Sequence, residues 1–264
     1  MHPFTQHDVP DGAAAVHWFE QSSFAIRDAA GTLTLVDPYA PHDRPADRFI
    51  HGDPPMNEAE WPARFVLLTH AHGDHTDPET LARLHAATPD ARYVGSRESI
   101  DQIVEGTSIG PAQCTAVTAG DRVQIGTMTV NVVYAKPPGG DPAAGIDPPD
   151  TPHLGYVVEA GRHRLYFTGD PINTFAEHES LTAPVAALEP TAAFLTNHPT
   201  EGGFPYFDGC VRMAKRCRVG IACPAHYACF VARDYDPAAW AAAFADDGPP
   251  TRIIPRNSHI VFEA

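Results

Sequence analysis

Four residues able to bind a metal fall within six positions of this chain: His70, His72, Asp74 and His75, in the run THAHGDH. Neutral imidazole nitrogens and carboxylate oxygens suit Zn²⁺, Fe²⁺ or Mn²⁺. The intervening Ala71 and Gly73 are small enough for a tight loop to turn the ligands inward. Alternate residues of an extended loop point the same way, so His70 and His72 can share one ion while Asp74 and His75 face a second. A lone histidine is more often a surface or satisfied core residue, but that account does not extend to four ligand types at this spacing.

The surrounding pattern predicts how the run is held. RFVLLTH is a short continuous apolar stretch, as in a strand buried on both faces, and it delivers His70 at its C-terminal end. Thr76 or Asp77 then caps a helix with Pro78 at its first position and Leu81, Leu84 and His85 at helical spacing. Upstream, VHWFEQSSFAI and TLTLVD read as two strands joined by a polar turn at Asp28 to Gly31, the second ending on Asp37. Downstream come the strand ARYVG, a helix from Arg97 to Glu105 and hairpin-like strands through CTAVTAGDRVQIGTMTVNVVYA. The segment from Lys136 to His153 holds six prolines and three glycines without periodicity, which suits a lid or binding loop. Beyond it, HLGYVVEAGRHRLYFTGD forms a hairpin ending on Asp170, AAFLTNH a strand, FDGCVRMAKRC a helix and VGIACPAHY a strand ending on His226. DPAAWAAAFADDG is a capped helix, and TRIIP and HIVFE are closing strands. The expectation is one domain over residues 1–264, with halves 1–135 and 153–264 joined by a lid-like loop, 136–152.

Bulk properties narrow the function. At 264 residues and 43% hydrophobic the chain can build a large core. The formal net charge is −15 and the 18 basic residues gather into no stripe, which argues against nucleic acid as a partner. No apolar run approaches the roughly 20 residues of a membrane helix, and the N-terminus has no basic-then-apolar leader pattern, so no membrane association and a cytoplasmic location are expected. Five cysteines without CxxC spacing suggest reduced thiols, and Cys223 and Cys229 read as small core hydrophobes. There is no GxSxG elbow, P-loop or GxGxxG run.

THAHGDH resembles the HxHxDH signature of the metallo-β-lactamase superfamily, and that family's other motifs follow in order: Asp37, then His153, then Asp170 in FTGD, then His226 in PAHY. The resemblance spans nearly the whole chain. It implies an α/β fold of four layers, an αβ/βα sandwich of two mixed sheets flanked by helices. It also implies two divalent ions (Zn, Mn or Fe), with His70, His72 and His153 on one, Asp74, His75 and His226 on the other, Asp170 bridging and Asp37 supporting the loop from behind. VHWFEQSSFAI, VDPY, HLGYVVE, LYFTGD and CPAHY are most similar to the branch containing L-ascorbate-6-phosphate lactonase, although the chain lacks that lactonase's long segment between the first two motifs.

The expected activity is metal-dependent hydrolysis of a small, anionic ester, lactone or phosphodiester by a metal-bridging hydroxide, because coordination lowers the pKa of water from 15.7 to about 7. Asp74, beside that nucleophile, would take its proton and return it to the leaving group. Tyr227, Asn197 and His198 are candidates for substrate binding, while Arg27, Arg44 and Lys136 read as solvated basic residues rather than phosphate anchors. Two rival readings remain: a tRNA 3′-processing-type nuclease, which should carry a basic surface, and a non-catalytic metal-binding or sensor member of the fold.

Overall fold

The computed structural model describes residues 1–196 and 206–264. In chain order the elements are β1 (Ala14–Trp18), β2 (Phe24–Asp28), β3 (Leu33–Val36), β4 (Phe65–Leu68), α1 (Pro78–Ala87), β5 (Arg92–Gly95), α2 (Arg97–Gly106), β6 (Cys114–Ala116), β7 (Arg122–Ile125) and β8 (Met128–Tyr134). They continue as β9 (Leu154–Ala160), β10 (His163–Phe167), α3 (Glu179–Ala187), β11 (Ala192–Thr196), α4 (Phe207–Arg216), β12 (Ile221–Ala225), α5 (Pro237–Ala243) and β13 (Ser258–Phe262). One mixed sheet runs β13-β1-β2-β3-β4-β5-β6 and the other β12-β11-β10-β9-β8-β7. Helices α1 and α2 cover the first, and α3, α4 and α5 the second. This is the expected four-layer sandwich. The chain passes between sheets at β6 to β7, ahead of loop 136–152, and β13 returns to the edge of the first sheet, so the sheets do not coincide with the halves 1–135 and 153–264.

Strand alternation divides the apolar residues between two cores. In β4, Leu67 faces the inter-sheet core with Phe24, Ile26, Val130 and Phe167, whereas Val66 and Leu68 face outward beneath Leu81, Leu84, Ile100 and Ile103 of α1 and α2. Each such buried Leu or Ile stabilises the fold by about 2 kcal/mol. Helix α1 starts where the sequence places it: the Asp77 carboxylate accepts from the Thr80 N–H at 3.2 Å, and Pro78 follows.

Three differences from the sequence reading bear on the site. VHWFEQSSFAI is not one strand but two, β1 and β2, broken at a turn where Gln21 takes a left-handed backbone (φ 55). TRIIP contributes only an isolated bridge, Thr251 to Ala222. The proline-rich loop is pinned: Asp141 accepts from Thr174 Oγ1 at 2.8 Å and lies 3.0 Å from His178 Nε2.

On the outer face of β1, His17 is 1% exposed between the rings of Phe19 and Trp61, at 4.7 and 4.9 Å. Burial, reinforced by His2 and His259, lowers its pKa from 6.5 to about 3. The folded state therefore refuses a proton that the unfolded chain accepts below pH 6.5. The stability due to neutral His17 is fully present above that pH and is lost as pH falls from 6.5 towards 3, by about 1.4 kcal/mol per unit. The variant His17→Phe should show a shallower acid loss of stability over this window in denaturant titrations. Parallel curves would refute the assignment.

Candidate metal centre

The candidate ligands converge because strand ends converge. In the first sheet β3 and β4 run parallel, so Asp37 and His70 follow their C-terminal ends at one edge. In the second, β10, β11 and β12 are parallel and β9 antiparallel, which brings Asp170, His226 and the start of β9 at His153 to one edge as well. The edges are tied together: the Leu154 N–H donates to the Thr69 carbonyl at 3.0 Å and the Tyr156 hydroxyl to the Leu68 carbonyl at 2.5 Å. Only glycine fits before Asp170, since Gly169 is left-handed (φ 58) and a Cβ there would lie 2.4 Å from the Leu154 carbonyl oxygen.

Among the described residues, three overlapping groups could each hold an ion, their ligand atoms within 4.8 Å of one another: His70, His72 and His153; His70, His75 and Asp170; and Asp74, His75 and His226. Asp170 stands between them. Its Oδ2 lies 3.8 Å from His70 Nε2, and its Oδ1 lies 3.3 and 3.4 Å from the Nε2 atoms of His75 and His226. Ligands bound at about 2.1 Å in a tetrahedral shell stand about 3.4 Å apart, so these separations fit an ion. Both ring nitrogens of His153, His75 Nε2 and Asp170 Oδ1 are buried without a hydrogen bond of sound geometry, as expected of atoms whose partner is a metal.

The electrostatics agree. Burial, with Lys136 adding to it, lowers His153 to about 3, and burial with neighbouring imidazoles lowers His70, so both offer the neutral ring that ligation needs. Burial opposes ionisation of Asp170, but His75 and His226 outweigh it and hold the carboxyl well below its ordinary range. His75 is likewise pulled down by burial, yet Asp170, Asp74 and Asp37 raise it well above 6.5. Three carboxylates thus surround one imidazole and call for positive charge.

Partners behind the ligands fix their tautomers. Asp37 Oδ2 lies 2.7 Å from His75 Nδ1, while its two oxygens accept from the Thr69 N–H and hydroxyl at 2.7 and 2.6 Å, which leaves His75 Nε2 for the ion. On the open side, both oxygens of Asp150 lie 3.1 Å from His72 Nε2, and His72 Nδ1 faces His70 Nε2 at 3.1 Å. The His72 hydrogen bond holds the Asp150 carboxyl below its ordinary value. Sequence reasoning missed Asp150, although the loop carrying it was singled out.

The centre forms the floor of an open cavity of about 760 Å³ lined by His72, Asp74, Asp170 and His226, with Tyr39, Phe230, Arg48 and Arg233 on its walls. Tyr227 is not among the lining residues: its ring is buried and stacked on Trp18 at 4.5 Å. Asn197 and His198 lie outside the described residues. Arg44 is buried against Glu20, and Arg27 donates to the carbonyls of His7 and Gly31, so neither reaches the cavity. Two exposed arginines do, Arg48 and Arg233, and Arg48 lies over the rings of Phe49 and Phe230 at 5.2 and 5.4 Å.

Two-sheet architecture and ligand order define a metallo-β-lactamase-type fold. Residues 33–227 match the model of the beta-lactamase superfamily domain, and the chain belongs to that family. It is similar to a UPF0173 metal-dependent hydrolase of Methylobacterium nodulans, 30% identical over 59% of this chain and 62% of the relative, so less than two thirds of that relative is spanned. A UPF0173 metal-dependent hydrolase of Deinococcus radiodurans is 26% identical over 88% of this chain and 92% of its own length. Among solved structures, an isothiocyanate hydrolase from Delia radicum gut bacteria shares the fold at a TM-score of 0.72 and 15% identity, covering 95% of this chain and all of the other. No helix among the described residues is long and apolar enough to cross a membrane.

Because Asp37 orients His75 from behind, Asp37→Ala should lower metal affinity by about 10- to 100-fold in calorimetric titration. Unchanged affinity would show the ring to be fixed by other means.

Proposed function

We propose that this protein is a metal-dependent hydrolase of a small anionic ester, lactone or phosphodiester, working with two divalent ions (Zn, Mn or Fe). The observation that carries this reading is Asp170, which turns one oxygen to His70 and the other to His75 and His226 at the floor of an open cavity. The named relatives, metal-dependent hydrolases, support it. Ions held by these residues would supply an acidified water and polarise a carbonyl or phosphoryl oxygen.

The chain's own residues do the rest. Asp74 is 26% exposed, on the cavity side of the ligand cluster. Burial works against its ionisation, but His75 and His226 prevail and keep the carboxyl below its ordinary value, so it is ionised and ready to accept a proton from attacking water. Arg48 and Arg233 on the wall would draw a substrate carboxylate or phosphate, while Tyr39 and Phe230 pack its apolar part. Two acids share the wall, Asp47 and Asp77, but Asp77 is engaged in capping α1. The overall charge of −15 and the absence of a basic stripe favour a small molecule over a polynucleotide.

A panel of anionic lactones, carboxylic esters and phosphodiesters, assayed after loading with Zn²⁺ or Mn²⁺, tests the proposal. Turnover should vanish with a chelator, return with the ion, and fall by about 10²- to 10⁴-fold in Asp74→Ala. Full activity in that variant would sink the mechanism. Arg48→Ala should raise KM for anionic substrates by about 10-fold and leave uncharged analogues nearly unaffected. Equal effects on both would remove Arg48 from recognition.

A further inference from the structure

The turn between β1 and β2 carries a side chain that the proposed chemistry leaves unused. Gln21 is 1% exposed and sits at φ 55, a left-handed conformation that is strained for a non-glycine residue. Three hydrogen bonds hold it there. Its N–H donates to the Tyr227 carbonyl at 3.0 Å, and its own carbonyl accepts from the His226 N–H at 2.9 Å and from Trp18 Nε1 at 3.0 Å. His226 is itself left-handed, at φ 63. Two strained residues from opposite sheets therefore brace each other at the ligand end of the fold.

The Gln21 side chain enters the centre. Its Nε2 lies 2.7 Å from Asp74 Oδ2 and 2.9 Å from His226 Nε2. Those two atoms face the ion position: Asp74 Oδ2 stands 3.6 Å from His226 Nε2 and 3.9 Å from His75 Nε2. An ion held by Asp74, His75 and His226 takes the single lone pair of His226 Nε2 and one of those on Asp74 Oδ2. The amide N–H₂ then loses its His226 acceptor and turns its positive end towards the ion in a buried place, which is costly. A carboxamide resolves this by half a turn about its last bond, which exchanges its donor for its acceptor. The oxygen so presented is a hard, neutral donor.

We propose that Gln21 is a further ligand of the position formed by Asp74, His75 and His226, presenting Oε1 to the bound ion. The inference rests on the reading of the centre as a two-ion site. It makes the two positions chemically unequal. The first is built from the imidazoles of His70, His72 and His153, and the second gains oxygen from Asp74 and Gln21, while Asp170 turns an oxygen to each. Carboxylate and carbonyl oxygens bias such a position towards harder ions such as Mn²⁺.

The test is titration of Co²⁺ and Mn²⁺ into metal-free wild type, Gln21→Glu, Gln21→Met and Gln21→Asn, followed by calorimetry and by the visible d–d absorption of Co²⁺. Two ions per wild-type chain support the two-ion reading, and fewer than two overturn that reading and this inference together. Gln21→Met keeps the length without a donor and should weaken the second equivalent by about 10-fold or more and alter its Co²⁺ spectrum, leaving the first equivalent unchanged. Gln21→Glu offers oxygen in either orientation and should bind the second ion at least as tightly as wild type. Gln21→Asn suits the left-handed backbone but is one carbon too short, so it should show the same loss as the Met variant in a chain whose turn is favoured. A second ion bound by the Met or Asn variant as tightly as by wild type, with an unchanged spectrum, overturns the proposal. A Glu variant as weak as the Met variant also overturns it, since the amide would then act through its N–H.

Discussion

Asp170 is a carboxylate held ionised at the seam between two sheets, with its two oxygens turned to imidazoles delivered by different strands. A buried charge in that position must be compensated, and compensation requires that both sheets end at the same edge. The parallel runs β3-β4 and β10-β11-β12 meet this requirement. So does the reversed direction of β9, which brings its starting residue, His153, to the edge where the others finish. The layered core between the sheets fixes the spacing of the edges and so the separations among the ligands.

Much of this was legible in the sequence. Strand ends carrying His or Asp were visible because short apolar runs terminate in HAHGDH, FTGD and PAHY, and the fold class followed from the family resemblance that these motifs carry. The start of α1 at Pro78 could be read from the sequence, which left Thr76 or Asp77 as its cap, and the structure selects Asp77. What escaped lies in segments without periodicity. Gln21 was hidden inside VHWFEQSSFAI, whose aromatic and apolar composition favours a strand on both sides of a turn that no glycine or proline marks. Arg48 and Asp150 sit in proline-rich stretches, where only the three-dimensional path shows that the first lines the cavity and the second meets His72.

Tyr227 shows the opposite error. Adjacency to a ligand in sequence suggested adjacency in space, but His226 is left-handed and the chain turns there, sending the next ring into the core against Trp18 and Tyr235. Arg44 was likewise a basic residue in a polar segment that folds inward, where Glu20 neutralises it and Arg256 adds a second hydrogen bond to the same carboxylate. Residue type identifies a candidate, while backbone handedness decides its direction.

Several left-handed non-glycine residues gather at the ligand end: Gln21, Asp37, His226 and Ala228. Each is a strained conformation that the neighbouring structure must impose. The means are on hand: the Asp37 N–H donates to the Leu67 carbonyl at 2.9 Å, and the backbones of Gln21, His226 and Tyr227 are linked to one another across the sheets. These bonds are made between protein atoms, and the large inter-sheet core behind them sustains the strain. On the proposed reading, Asp37, Asp150 and Gln21 would tune ion binding on a backbone that the two sheets already brace.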